Sequence, residues 1–86
     1  MTKVEIYTSI LCGYCSSAKR ILTEKGIIFT ETNLTKTPKK RKEMISRSVG
    51  KTSVPQIFIS NVHIGGFDEL NYLNKSGKLD HLLNKK

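Results

Sequence analysis

Apolar residues come in short clusters, and their spacing alternates between a strand-like and a helix-like period along the chain. Lys3 to Thr8 (KVEIYT) mixes β-branched and aromatic residues in alternation with polar ones, which predicts a strand. Ser16 to Lys25 places Ala18, Ile21 and Leu22 at helical spacing, and Gly26 supplies the stop. Ile27 to Thr32 (IIFTET) predicts a second strand, and Leu34 to Lys36 a connection. Thr37-Pro38 has the form of a helix start, with Thr37 as N-cap and proline at the first helical position. That helix is expected to run to about Ser48, with Met44 and Ile45 inward, and to end at Gly50. Val54 to Ser60 predicts a third strand starting at its proline, Asn61 a turn, and Val62 to Ile64 a short returning strand. Gly65-Gly66 breaks the chain before a helix over Phe67 to Ser76, with Phe67, Leu70 and Leu73 on one face and Gly77 closing it. Leu79 to Leu83 is a last short helix. The order β-α-β-α-β-β-α-α implies an α/β fold around a mixed four-stranded sheet, with a parallel crossover pair and an antiparallel hairpin.

Length bounds this picture. Eighty-six residues and 9.7 kDa allow one small domain, 1–86. Such a chain buries only ~60% of the surface its unfolded form exposes, so its core must be tightly packed. A composition of 37% hydrophobic and 26% charged residues is not that of a disordered chain. No apolar run approaches the ~18 residues of a membrane span, and Glu5 falls where a signal peptide would be apolar. A cytoplasmic location without membrane partners is the expectation. Fifteen basic against seven acidic residues give a formal charge of +8, a field that attracts anions of any kind. The densest charge is Lys36 with Pro38 to Lys42 (PKKRK). A run of this kind occurs in nuclear-localisation and nucleic-acid patches, but it is a weak motif. A solvated lysine-rich face is the plainer reading, and no nucleic-acid partner is expected.

Cysteine usage says more. Cys12 and Cys15 stand alone in a C-x-x-C spacing. A stapled secreted fold would need more cysteines spread along the chain, and a structural zinc site two further ligands. His63 and His81 are distant and unpaired, so no metal site is expected from these residues. The pair lies where the first strand hands over to a helix. Residues three apart share a helix face, so the two sulfurs can meet and bond. Free N–H groups and the positive end of the helix dipole favour a thiolate there. Cys12, nearer the helix end, is the expected nucleophile and Cys15 the resolving thiol. Lys19 and Arg20 lie farther along the same helix, as local positive charge or as a solvated face.

Three motifs now stand in order: C-G-Y-C after V-E-I-Y-T, then T-S-V-P-Q-I-F-I, then H-I-G-G-F-D-E-L. Together they resemble the glutaredoxins, specifically the small bacterial dithiol type, over nearly the whole chain. The resemblance implies a thioredoxin fold, a glutathione-dependent disulfide oxidoreductase, and glutathione-mixed and protein disulfides as substrates. Ribonucleotide reductase is among the partners it brings into view, although no residue singles that enzyme out. A monomer is implied. It further implies a cis Val54–Pro55 bond, with Ser53, Val54 and Pro55 beside the reactive sulfur and the Val54 backbone turned out to pair with an extended peptide. Gly66, Phe67 and Asp68 open a helix whose N–H groups suit a carboxylate, while the Asp68 carboxylate suits an ammonium. Both charges are present on the γ-glutamyl end of glutathione. Tyr14, between the cysteines, would wall that site. For Pro55 the plain alternative is a strand-starting proline, for Asp68 a helix-start acid, and for Tyr14 a half-exposed aromatic.

Three departures from the family pattern stand out. Gly13 replaces the usual proline of C-P-Y-C, which loosens the loop. Gly13 is also similar to the glycine of glutaredoxins that hold a [2Fe–2S] cluster between two subunits through the first cysteine and a glutathione thiol. A cluster carrier using Cys12 in a dimer is therefore the alternative function. Ser9 stands where the family commonly has lysine near the glycine carboxylate of glutathione, and Thr52-Ser53 where it has arginine or threonine followed by threonine. Lys51 is the nearest replacement cation.

Overall fold

The computed structural model describes residues 2–83, so Met1 and residues 84–86 of the expected 1–86 domain lie outside the described residues. The chain runs β1 (Val4–Thr8), α1 (Gly13–Glu24), β2 (Thr30–Asn33), a 3-10 turn (Pro38–Lys40) leading into α2 (Arg41–Arg47), β3 (Gln56–Ile59), β4 (Val62–Gly65), α3 (Phe67–Ser76) and α4 (Lys78–Leu82). The sheet order is β2-β1-β3-β4. β1 and β2 are parallel, while β1–β3 and β3–β4 are antiparallel. This is the mixed four-stranded sheet that the sequence predicts.

The period of two in the strands sorts the side chains into two layers. Val4, Ile6, Ile57 and Ile59 point to one face, where Ala18 and Leu22 of α1, Leu70 of α3 and Leu79 of α4 close over them. Tyr7 and Phe58 point to the other, against Leu34 and Met44. β3 is buried at every position because it is covered on both faces. Each fully buried aliphatic side chain contributes about 1.5–3 kcal/mol, so these few residues hold a small fold. The second layer also carries charge. Arg47 grips Glu5 through two contacts of 2.8 and 3.0 Å, donates to the Tyr7 hydroxyl and lies 4.2 Å over the Phe58 ring. That hydrogen-bonded partner holds the Glu5 carboxyl below its usual range.

Three boundaries differ from expectation. Strand pairing of β2 begins at Thr30, opposite Glu5, and not at Ile27. Ile27 and Phe29 instead pack onto the core from an unpaired approach while Ile28 faces outward. Thr37 and Pro38 hold the expected N-cap and first positions, but of a 3-10 turn at Pro38–Lys40 that precedes α2, and Thr37 makes no side-chain capping bond. The β3 ladder starts at Gln56, one residue after a proline with no N–H to give. Among the described residues, no helix is long and apolar enough to cross a membrane.

Candidate active site

Cys12 is the N-cap of α1, in extended conformation (φ −108°, ψ 106°), and its Sγ accepts the Cys15 N–H at 3.2 Å. The sulfur thus takes the place that a serine or aspartate oxygen has in an ordinary cap, satisfying one of the free N–H groups of the helix. On its other side the Cys12 thiol donates to the Val54 carbonyl at 3.8 Å. Cys15 lies on the buried stripe of α1 with Ala18 and Leu22. Both cysteines are free, Cys12 half-buried and Cys15 buried. Burial, and next the Cys12 sulfur beside it, push the Cys15 thiol up to about 12. One sulfur is therefore partly accessible and held by a backbone N–H, and the other keeps its proton in the core.

Val54–Pro55 is cis, as expected, and Pro55 is buried beneath the loop that faces Cys12. Beside it opens a groove of about 600 Å³. All seven residues expected to contact a ligand line it: Tyr14, Ser53, Val54, Pro55, Gly66, Phe67 and Asp68. Tyr14 and Phe67, both in the groove wall, stand with ring centroids 5.7 Å apart, which ties the start of α1 to the start of α3. Gly66 lets the backbones approach closely: a Cβ there would stand a tight 3.3 Å from the Pro55 carbonyl oxygen. Glu69 folds back so that its carboxylate accepts the Gly66 N–H at 2.7 Å, leaving the N–H groups of Phe67 and Asp68 directed at the helix mouth.

Other residues were not anticipated as ligand contacts. Gln56 and His63 form a 2.6 Å hydrogen bond in the groove wall, and the Gln56 amide also donates to the Ser53 carbonyl. Burial, then the charge of Lys51, lowers the His63 pKa, so the ring is neutral at neutral pH. The signal for this pair was the Ser60-Asn61 turn, which sets His63 opposite Phe58 and brings it alongside Gln56. Lys51 lines the groove, whereas Ser9 lies across Cys12 in a separate depression. Lys19 is bound to Glu31 at 3.1 Å. In the basic run, Arg41 donates to the Thr52 carbonyl and Lys40 pairs with Glu43, with the remaining cations exposed. Among the described residues no three His, Cys, Asp or Glu side chains gather to hold a metal.

A thiol at a helix cap, a second thiol buried behind it and a cis-proline loop facing the first are redox features. The glutaredoxin family model matches residues 4–64. The chain belongs to the glutaredoxin family. It is 52% identical to glutaredoxin 3 of Escherichia coli over 83 residues, covering 96% of this chain and 99% of that one. The solution structure of glutaredoxin from Brucella melitensis superposes with a TM-score of 0.83 at 47% identity, over 99% of this chain and 91% of that chain. A buckwheat glutaredoxin–glutathione complex superposes with a TM-score of 0.85 at 25% identity, over 98% and 78%. The fold of this glutaredoxin is accordingly the thioredoxin fold, and its activity is that of a thiol–disulfide oxidoreductase.

Proposed function

We propose that this glutaredoxin uses glutathione to reduce glutathione-mixed disulfides and protein disulfides, with Cys12 as nucleophile and Cys15 as resolving thiol. One observation carries the reading: the Cys12 sulfur caps α1 by accepting the Cys15 N–H and faces the Val54 carbonyl at the edge of the groove, while Cys15 is buried behind it. The Cys12 thiolate attacks the glutathione sulfur of a mixed disulfide. A Cys12–glutathione disulfide forms, and the substrate sulfur leaves as a thiolate that takes a proton from water. A second glutathione thiolate then attacks the bound glutathione sulfur, releasing glutathione disulfide and the Cys12 thiolate. With a protein disulfide, the Cys12 thiolate bonds one protein sulfur and displaces the other as a thiolate that takes a proton from water. Cys15 then attacks Cys12, giving its proton to the departing protein thiolate.

The groove supplies the binding. The Val54 backbone pairs with the cysteinyl part of glutathione as an added strand. The N–H groups of Phe67 and Asp68 receive the γ-glutamyl carboxylate, and the Asp68 carboxylate receives the ammonium. Tyr14 and Phe67 wall the ligand, Ser53 and Pro55 floor it, and Lys51 stands where a glycine carboxylate needs a cation. A buckwheat relative solved as its glutathione complex supports glutathione as the ligand. The test is a pair of variants. Cys12→Ser is expected to lose all exchange, and Cys15→Ser to keep deglutathionylation while losing reduction of protein disulfides. The reverse pattern would exchange the two roles and refute the reading.

A further inference from the structure

Leu11, the residue before Cys12, is 98% exposed and adopts φ +59°. The left-handed region favours glycine or asparagine over a bulky residue, and full exposure returns nothing to folding. Ile10 beside it is 63% exposed and Tyr14 66%, so exposed apolar residues flank Cys12 on both sides along the chain. Exposure and positive φ also coincide at Val49, at the end of α2, so they do not assign a role by themselves. What sets Leu11 apart is its bond to the residue that carries the chemistry.

Leu11 and Ile10, with Cys12 itself, form the apolar lip of a depression of about 410 Å³ that is distinct from the groove along Val54 and whose far wall is polar, with Lys19, Glu31 and Asn33. The reacting sulfur therefore has a wall on each side. We infer that the Ile10–Leu11 lip is a contact for the protein substrate, selecting disulfides whose cysteines are flanked by apolar residues. The inference rests on the proposed attack of Cys12 on protein disulfides. The geometry of that intermediate commits the occupant. A disulfide brings the two Cα atoms to roughly 4.4–6.8 Å, and Leu11 is the covalent neighbour of one of them. The residues flanking the substrate cysteine are then within side-chain reach of Leu11. The exchange itself is unchanged: the Cys12 thiolate displaces one substrate sulfur as a thiolate, and Cys15 displaces the second while giving up its proton. The substrate gains two electrons and the protein ends as the Cys12–Cys15 disulfide.

The test uses two synthetic peptides with the same intramolecular disulfide, each cysteine flanked by leucine in one and by serine in the other. Their kcat/KM ratio is measured with the wild type and with Leu11→Ser, so that intrinsic differences in disulfide reactivity cancel between the two enzymes. The wild-type ratio is expected to exceed that of Leu11→Ser by about fivefold, the scale of discrimination by partial apolar contact. Equal ratios would overturn the inference and leave the proposed function standing. Failure of the wild type to reduce either peptide, with deglutathionylation intact, would remove the protein-disulfide reaction and this inference with it. Sedimentation of both reduced proteins covers the rival occupant: a wild-type dimer that Leu11→Ser dissociates would make the lip a self-association surface and overturn the inference.

Discussion

The two adjacent glycines before α3 make opposite predictions when each becomes alanine. Gly65 has φ +125°, a conformation closed to L-residues, and a Cβ there would lie 2.6 Å from Glu69 Oε1 and 2.8 Å from its Cγ. Alanine at 65 must shift the backbone and expel Glu69, breaking the 2.7 Å contact to the Gly66 N–H. Backbone strain of this kind costs about 1–3 kcal/mol. Losing a capping contact adds about 0.5–2 kcal/mol. A loss of about 2–4 kcal/mol is expected, because relaxation recovers part of the sum. Gly66 differs: its φ of −95° is open to any residue, and its Cβ would meet only the Pro55 carbonyl at 3.3 Å and Glu69 Oε1 at 3.6 Å. Its alanine variant is expected to lose less than about 1 kcal/mol, yet the methyl enters the groove between Pro55 and the mouth of α3. The assay is urea unfolding of both variants, with KM for a glutathionylated peptide. Gly65→Ala should lower the midpoint markedly, and Gly66→Ala should raise KM several-fold with a near-native midpoint. An unchanged midpoint for Gly65→Ala would refute the conformational argument. An unchanged KM for Gly66→Ala would refute the placement of glutathione.

Three further predictions test separate parts of the account. Glu5→Gln removes a bidentate partner of Arg47 and is expected to cost about 1 kcal/mol at pH 7. Because the folded Glu5 pKa lies below 4.5, that contribution is present above pH 4.5 and lost as pH falls through the folded value, so wild-type and variant urea midpoints should converge in acid. Lys51→Ala is expected to raise KM for a glutathionylated peptide a few-fold with little change in kcat, an effect that shrinks at high salt, as kinetics at two ionic strengths will show. Gly13→Pro places proline at the first position of α1, where a side chain meets nothing within 4 Å. It is expected to raise stability by about 0.4–1 kcal/mol in urea unfolding, through the unfolded state.

The sequence carried the sheet and the thiol pair because both rest on local signals. Alternation in Lys3–Thr8 set Val4, Ile6 and Tyr7 on their layers, and the C-x-x-C spacing at a strand-to-helix junction placed one sulfur at the cap and the other on the buried stripe. Apolarity misled at Ile27–Phe29, where it marks packing against the core and not ladder pairing, while the paired edge strand is the polar Thr30–Asn33. The resemblance supplied the cis bond at Val54 and the seven groove residues. Gln56, His63 and Glu69 were less legible because their positions depend on the bulged register of β3 and β4 and on a side chain folding back over Gly66.

The central claim is the asymmetry of the two thiols, and selective alkylation reads it directly. Reduced wild-type protein is treated at pH 7 with less than one equivalent of iodoacetamide, and fragmentation mass spectrometry locates the label. A half-buried sulfur on a backbone N–H beside a buried thiol held up at about 12 predicts label on Cys12 and essentially none on Cys15. Equal labelling, or label concentrated on Cys15, would contradict it.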